Sequence, residues 1–210
     1  TPNSKVLLDC GINPGIADGP ERFPYLNVPE VGELNSIDAI VLSHAHTDHS
    51  AFIPWLYKMG YKGPVYLTAP TRDISALLAL DFVGVAYKQA ATPLYKAEDI
   101  KEMVRHSICL NYGEVFDITP DIRITLYNAG HVLGSAVVHI NIGNGLHNFV
   151  YTADTNYRKT RLLDPAINYY PRVETITIES TYGSKMDIFP PRNEVDEKFI
   201  KLVGETIERK

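Results

Sequence analysis

Cysteine is scarce in this 210-residue chain, with Cys10 and Cys109 the only two. Two cannot build a disulfide framework, and no C-x-x-C pair exists to run thiol exchange or clamp a metal. A reducing compartment, and so a cytoplasmic location, is the expectation. Long apolar runs are missing too. The most apolar stretch, Ile74 to Ala91, is broken by Asp81 and Lys88, which excludes a membrane span and a membrane partner. No signal-peptide pattern opens the chain. Positive charge is not in excess: 20 Lys and Arg stand against 25 Asp and Glu, a net charge of −5. An overall basic footprint for nucleic acid is therefore absent, and only a local patch could hold one. Internal repeats and low-complexity segments are also lacking.

What is present is an ordinary globular composition, 45% hydrophobic and 21% charged, in a chain long enough to bury a real core. Short β-type runs at Lys5 to Asp9, Ala39 to Ser43 and Val65 to Thr68 end in turn or cap residues. Thr71 reads as a helix N-cap, followed by Ile74, Leu77, Leu78, Phe82 and Val85 near helical spacing. A second helix is expected over Ala97 to Arg105. Strands follow at Glu114 to Ile118, Ile122 to Tyr127, Ser135 to Ile142, Asn148 to Ala153 and Glu174 to Glu179. Gly143-Asn144-Gly145 marks a hairpin turn. Ile12 to Asn35 reads as a long loop, a length often tied to function. A last helix begins near Arg192, with Val195, Phe199, Leu202, Val203 and Ile207 on one face. Hairpins mixed with helices predict an α/β (α+β) fold layered as an αββα sandwich. The chain starts almost in a strand and stops inside a helical pattern, so a piece of a longer polypeptide is expected.

The stretch VLSHAHTDHS places His44, His46, Asp48 and His49 within six residues, directly after an apolar strand. If the chain stays extended, His44, His46 and Asp48 project to one side, because side chains alternate. His49 then follows as the chain turns into a helix holding Phe52, Trp55 and Leu56. Imidazole and carboxylate donors suit zinc and related divalent ions. Four donors on so short a loop exceed what one tetrahedral ion takes, so two adjacent ions are expected. Clustered imidazoles buried without metal would leave unpaired polar groups, costing about 1–3 kcal/mol each. Further donors sit at strand ends: Asp9, His131 in a Gly-flanked turn, Asp154 and Glu179. Each alone could be a turn residue. Together they place polar groups at one sheet edge, where sites collect.

H-x-H-x-D-H after a strand, then an isolated His in GHVLGS and an Asp in YTADT, resembles the metallo-β-lactamase superfamily. The run Glu179-Ser-Thr-Tyr-Gly is similar to the first signature of its β-CASP branch of nucleic-acid nucleases. LLDCGINPG and AGHVLGSA are most similar to the cleavage and polyadenylation specificity factor endonucleases, the archaeal members above all. The resemblance covers nearly the whole chain. It implies a zinc-dependent ribonuclease in RNA 3′-end processing or transcription termination, endonucleolytic, with 5′-to-3′ exonuclease action left open. His44, His46 and His131 would hold one zinc, Asp48 and His49 a second, and Asp154 would bridge them. A bridging hydroxide would attack the phosphodiester phosphorus, and Asp48 could help take the water proton. Asp9 would orient a ligand, and Glu179 would bond a histidine of the β-CASP domain. The domain reading is 1–185 for the metallo-β-lactamase portion, without its first strands, and 186–210 for the helix that opens a β-CASP domain.

Family members carry two further histidines downstream, one completing the second zinc site. No histidine follows Glu179 in this chain. His106 ends a helix, His139 is expected at the surface or a sheet edge, and His147 follows a turn. The full-length protein should hold two zinc ions. The chain alone should hold one or none firmly, with activity largely absent. The implied partner is RNA, with a homodimer or processing complex formed through regions elsewhere. Arg158, Lys159, Arg161, Tyr157 and Tyr182 are candidate RNA contacts, or else solvated and loop-packing residues. Two other function classes stay open. A non-nuclease metallohydrolase of the same fold has no need of the Glu179 run. A catalytically silent scaffold subunit would usually have lost metal donors, and here they are present.

Overall fold

The apolar runs form the strands they predict, and two sheets result. A computed structural model describes residues 1–17 and 19–209; Asp18 and Lys210 lie outside the described residues. The chain falls into two compact units, residues 1–179 and 180–210.

In the first unit, β1 (Val6–Leu8), β2 (Ala39–Val41), β3 (Val65–Leu67) and β4 (Ser107–Cys109) pair in that order, all parallel. Strand β2 is buried on both faces, as a parallel strand between layers should be. Ile40 and Leu42 face a cluster with Ile53, Leu56, Leu67 and Met103. Ala39 and Val41 face the second sheet through Tyr66, Ile124, Leu126 and Val138. The helical layer comprises α1 (Thr47–Ser50), α2 (Ile53–Lys58), α3 (Ala69–Lys88) and α4 (Ala97–Arg105).

The second sheet holds β5 (Val115–Thr119), β6 (Ile122–Asn128), β7 (Ala136–Ile142), β8 (His147–Tyr151) and β9 (Thr175–Thr177) in chain order. Its first four strands are antiparallel, and β9 adds parallel to β8. The β7–β8 turn is the Gly143–Gly145 hairpin, with Gly143, Asn144 and Gly145 all at positive φ, the twist a hairpin turn needs. The layers run helices, sheet, sheet. Among the described residues of this unit, no helix lies on the outer face of the second sheet. Val137 and Val150 there pack with Tyr127 and Tyr170.

Several expectations need correction. Extended backbone ends at His46, which caps α1, so Asp48 sits in a helical turn rather than on an alternating strand, and His49 is in the same turn, where the chain enters the helices as expected. The N-cap of α3 is Thr68, whose Oγ1 accepts the Thr71 N–H at 3.3 Å. Helix α3 buries Thr71, Ser75, Ala79 and Val83, while Phe82 is only partly buried against the core and Leu77 is 66% exposed. His139 is buried, because β7 is central in its sheet, and its Nε2 meets the Arg172 carbonyl at 2.8 Å. Strand β4 was not legible, being three residues between a helix and a turn.

The second unit contains α5 (Arg192–Glu208). Val195, Phe199, Leu202, Val203 and Ile207 are all exposed on it. Tyr182 packs edge-to-face on Phe189, ring centroids 4.9 Å apart. None of the described helices is long and apolar enough to cross a membrane.

Candidate metal centre

Five chain segments deliver polar side chains to one end of the two sheets. The first leaves β1. Asp9 adopts φ 57°, a left-handed conformation costing a non-glycine residue about 1–2 kcal/mol. Backbone bonds hold it there: Asp9 N–H donates to Val41 O at 3.0 Å, and Cys10 N–H to His49 O at 2.7 Å. The second segment leaves β2 and carries Ser43 and His44, both fully buried, then His46. The third is α1, which carries Asp48 in its first turn and His49 in its last.

The fourth segment links β6 to β7. His131 follows Gly130, whose φ is 66°; a Cβ there would lie 2.5 Å from Asn156 O. Ser135 Oγ accepts from the N–H groups of His131 and Val132, each at 3.2 Å. Gly134 O accepts from Thr68 Oγ1 at 2.7 Å and Thr71 Oγ1 at 2.9 Å. The start of α3 thus pins the His131 loop. The fifth segment leaves β8 and turns at Ala153, φ 47°, into Asp154. Two non-glycine residues at positive φ, one of them a carboxylate and the other directly before one, mark a site where backbone strain is held.

The donor atoms converge. His44, His46, His131 and Asp154 each offer one atom, all within 4.8 Å of one another. His46 Nδ1 lies 3.1 Å from His44 Nε2 and 3.2 Å from His131 Nε2. Asp154 Oδ2 lies 3.4 Å from His131 Nε2 and 3.8 Å from His44 Nε2. A tetrahedral zinc with bonds of ~2.0–2.1 Å sets its ligand atoms ~3.3 Å apart. Three imidazole nitrogens and a carboxylate oxygen at these separations fit such an ion. Asp154 has a second oxygen, Oδ1, 3.5 Å from His49 Nε2, and Asp48 Oδ2 lies 3.6 Å from the same nitrogen. The Asp154 carboxylate therefore faces one donor set with each oxygen.

Electrostatics agree with a cation. Burial first, then the neighbouring imidazoles of His49, His131 and His46, pushes the His44 pKa down to about 2. Burial likewise lowers His131, against the opposing pull of Asp154. Both rings are neutral near pH 7 and have lone pairs to give. His49 goes the other way: burial opposes its charge, but the Asp9 hydrogen bond and the carboxylates of Asp9, Asp48 and Asp154 together raise its pKa.

The structure brings together all the residues proposed from sequence as metal ligands, with Asp9 beside them. Glu179 follows β9 and lies near enough to His131 to oppose, after Asp154, the burial that lowers its pKa; its N–H donates to Thr152 Oγ1 at 3.4 Å. Arg158, Lys159 and Arg161 lie exposed on the loop after Asp154, with Lys159 Nζ 3.5 Å from Asp164. Tyr157, 48% exposed, is on the same loop, and Tyr182 belongs to the second unit. His106 and His147 are bonded away from the cluster, to Glu102 O and Thr175 Oγ1. Sequence reasoning missed Ser43, Tyr151, Thr68 and Thr71. A signal existed for Tyr151: alternation along β8 puts it on the face with Phe149 that meets the other sheet.

The profile of a family described as the metallo-beta-lactamase superfamily domain matches residues 1–178. Relatives named transcription termination factor FttA are 51% identical over 209 residues in Methanothermobacter thermautotrophicus, 49% over 209 in Methanosarcina mazei and 47% over 214 in Pyrococcus abyssi. Each alignment covers all of this chain and 32–33% of the relative. The chain spans about a third of the length of these relatives.

Proposed function

This chain belongs to the metallo-β-lactamase superfamily, and from that premise we propose that it carries the metal centre of a zinc-dependent ribonuclease acting in transcription termination or RNA 3′-end processing. The observation that carries the reading is the convergence of His44 Nε2, His46 Nδ1, His131 Nε2 and Asp154 Oδ2, while Asp154 Oδ1 and Asp48 Oδ2 both lie near His49 Nε2. Its place on the β-CASP branch rests on the Glu179-Ser-Thr-Tyr-Gly run, with residues 186–210 as the opening of that domain.

In this reading His44, His46, His131 and Asp154 hold one zinc, and His49, Asp48 and the far oxygen of Asp154 hold part of a second. Two divalent ions so placed would bring a water pKa toward ~7 and offset charge growing on phosphoryl oxygens. Asp48, the most exposed of these carboxylates at 45% of its side chain, is the group able to accept a proton from solvent. Glu179 orients a partner histidine outside this chain. The exposed Arg158, Lys159 and Arg161 hold the RNA backbone through charge, and Tyr157 and Tyr182 offer stacking faces. The relatives' name as termination factors supports work on nascent RNA, and hence a cytoplasmic site of action. A silent scaffold is disfavoured, because every donor of the first site is in place.

The test is RNA cleavage by the full-length protein with zinc, alongside His46→Ala and Asp154→Asn. Loss of more than ~1000-fold in either variant is expected, as for groups that hold the reacting centre. Hydrolysis of small thioesters with no RNA cleavage would overturn the substrate class. Equal activity in the variants would overturn the metal centre.

A further inference from the structure

Behind the imidazoles, two side chains without a role so far both bond Asp9. Ser43 Oγ lies 2.6 Å from Asp9 Oδ2 and 3.0 Å from His44 Nδ1. Tyr151, from the opposite sheet, donates its hydroxyl to the same Oδ2 at 2.8 Å. We propose that Ser43 and Tyr151 are positioning residues acting through Asp9, Ser43 fixing which nitrogen His44 offers and Tyr151 holding the oxygen that fixes His49. This rests on the metal reading above.

Counting hydrogens carries the argument. A serine hydroxyl has one proton, and a carboxylate has none to give. The Ser43 proton therefore goes to Asp9, and Ser43 Oγ can only accept from His44. His44 Nδ1 then carries the ring proton, and the lone pair is left on Nε2, the nitrogen that faces His46 and Asp154. On the other arm, His49 Nδ1 lies 2.7 Å from Asp9 Oδ2. Its Nδ1 proton is used there, so Nε2, which faces Asp48 and Asp154, is the nitrogen left to meet a metal. Asp9 Oδ1 is occupied by the Ser43 N–H at 2.7 Å. One carboxylate thus sets the donor atom of a ring in each set. Three donors on Oδ2 and one on Oδ1 over-determine it, which is how its left-handed backbone is held. Because Tyr151 stands on β8 and Asp9 follows β1, the hydroxyl also ties the two sheets together at the centre.

The experiment uses the full-length protein with nitrogen-labelled histidine. Ring-nitrogen shifts of the metal-free form report the His44 and His49 tautomers, and chelator competition reports zinc affinity. Ser43→Ala should release the His44 preference and weaken the first zinc by about 10–100-fold, as loss of groups supporting metal ligands does. Ser43→Thr, which keeps the hydroxyl, should restore both. Tyr151→Phe should weaken the ion on the His49 side and spare the first. The inference is overturned if Ser43→Ala keeps His44 in the Nδ1–H form and binds zinc as the parent does, or if Ser43→Thr fails to rescue a correctly folded protein. If Ser43→Ala does not fold, Tyr151→Phe decides, and equal weakening of both ions overturns the Tyr151 role. If the parent protein binds no zinc, the metal reading fails, while the tautomers still judge the hydrogen-bond relay.

Discussion

Gly11 gives the sharpest test of how the centre is assembled. It follows Asp9 and Cys10, and a Cβ added there would lie 1.8 Å from the Asp48 carbonyl oxygen and 2.4 Å from the His49 nitrogen. Reaching an ordinary contact of ~3.4 Å requires the backbone to retreat by about 1.5 Å. Three bonds tie this segment to the helical turns that carry the ligands: Cys10 N–H to His49 O at 2.7 Å, Ile12 N–H to Thr47 O at 3.1 Å, and Phe52 N–H to Cys10 O at 3.0 Å. A shift of that size breaks them, and at about 0.5–1.5 kcal/mol each the loss is about 1.5–4.5 kcal/mol. For a unit of this size that lowers the melting midpoint by about 3–18 °C. Asp48 and His49 move with the turn, so Gly11→Ala should also weaken zinc on their side by about 10–100-fold. Calorimetry and chelator competition on the full-length protein measure both. A variant with parental melting and parental zinc affinity would refute the reasoning, because it would mean that the β1 exit does not press on α1.

Acidification of the metal-free protein should destabilise it through His44. Its native pKa of about 2 lies below the ~6.5 of an unfolded histidine, so between these values the unfolded state binds more protons and stability falls as pH falls. The slope approaches about 1.4 kcal/mol per pH unit within that window, and His44→Gln should flatten the acid limb of a urea-midpoint profile; an unchanged slope would contradict this. Tyr95 is fully buried and its hydroxyl has no hydrogen-bond partner among the described residues, so Tyr95→Phe should match or exceed parental stability by up to ~1 kcal/mol. A loss above ~1 kcal/mol in urea unfolding would reveal a partner. Gly134→Ala should destabilise, since its φ is 84° and a Cβ would sit 2.7 Å from Thr68 Oγ1; unaltered melting would show that the His131 loop is not pinned by α3.

The strands other than β4 were legible because each combines an apolar run with a clear stop, and α4 and α5 because their apolar residues recur at helical spacing. Four of the donors were legible for the same reason: Asp9, His44, His131 and Asp154 follow apolar strands, and strand ends on one side of a layered fold meet. Less legible was anything decided by close approach. The buried face of α3 is Thr71, Ser75, Ala79 and Val83, smaller side chains than the Ile74, Leu77, Leu78, Phe82 and Val85 that the helical spacing singled out. Asp48 was placed on an extended strand because local alternation carried the reading past His46, where the backbone turns helical. The relay through Ser43 and Tyr151 was out of reach, since it joins residues 142 positions apart through one carboxylate oxygen.

Anomalous diffraction at the zinc edge, on crystals of the full-length protein, tests the central claim most directly. A zinc peak bonded at ~2.0–2.1 Å to His44 Nε2, His46 Nδ1, His131 Nε2 and Asp154 Oδ2 is the predicted result. Zinc bound elsewhere, with these four side chains turned apart in an intact sheet, would contradict it.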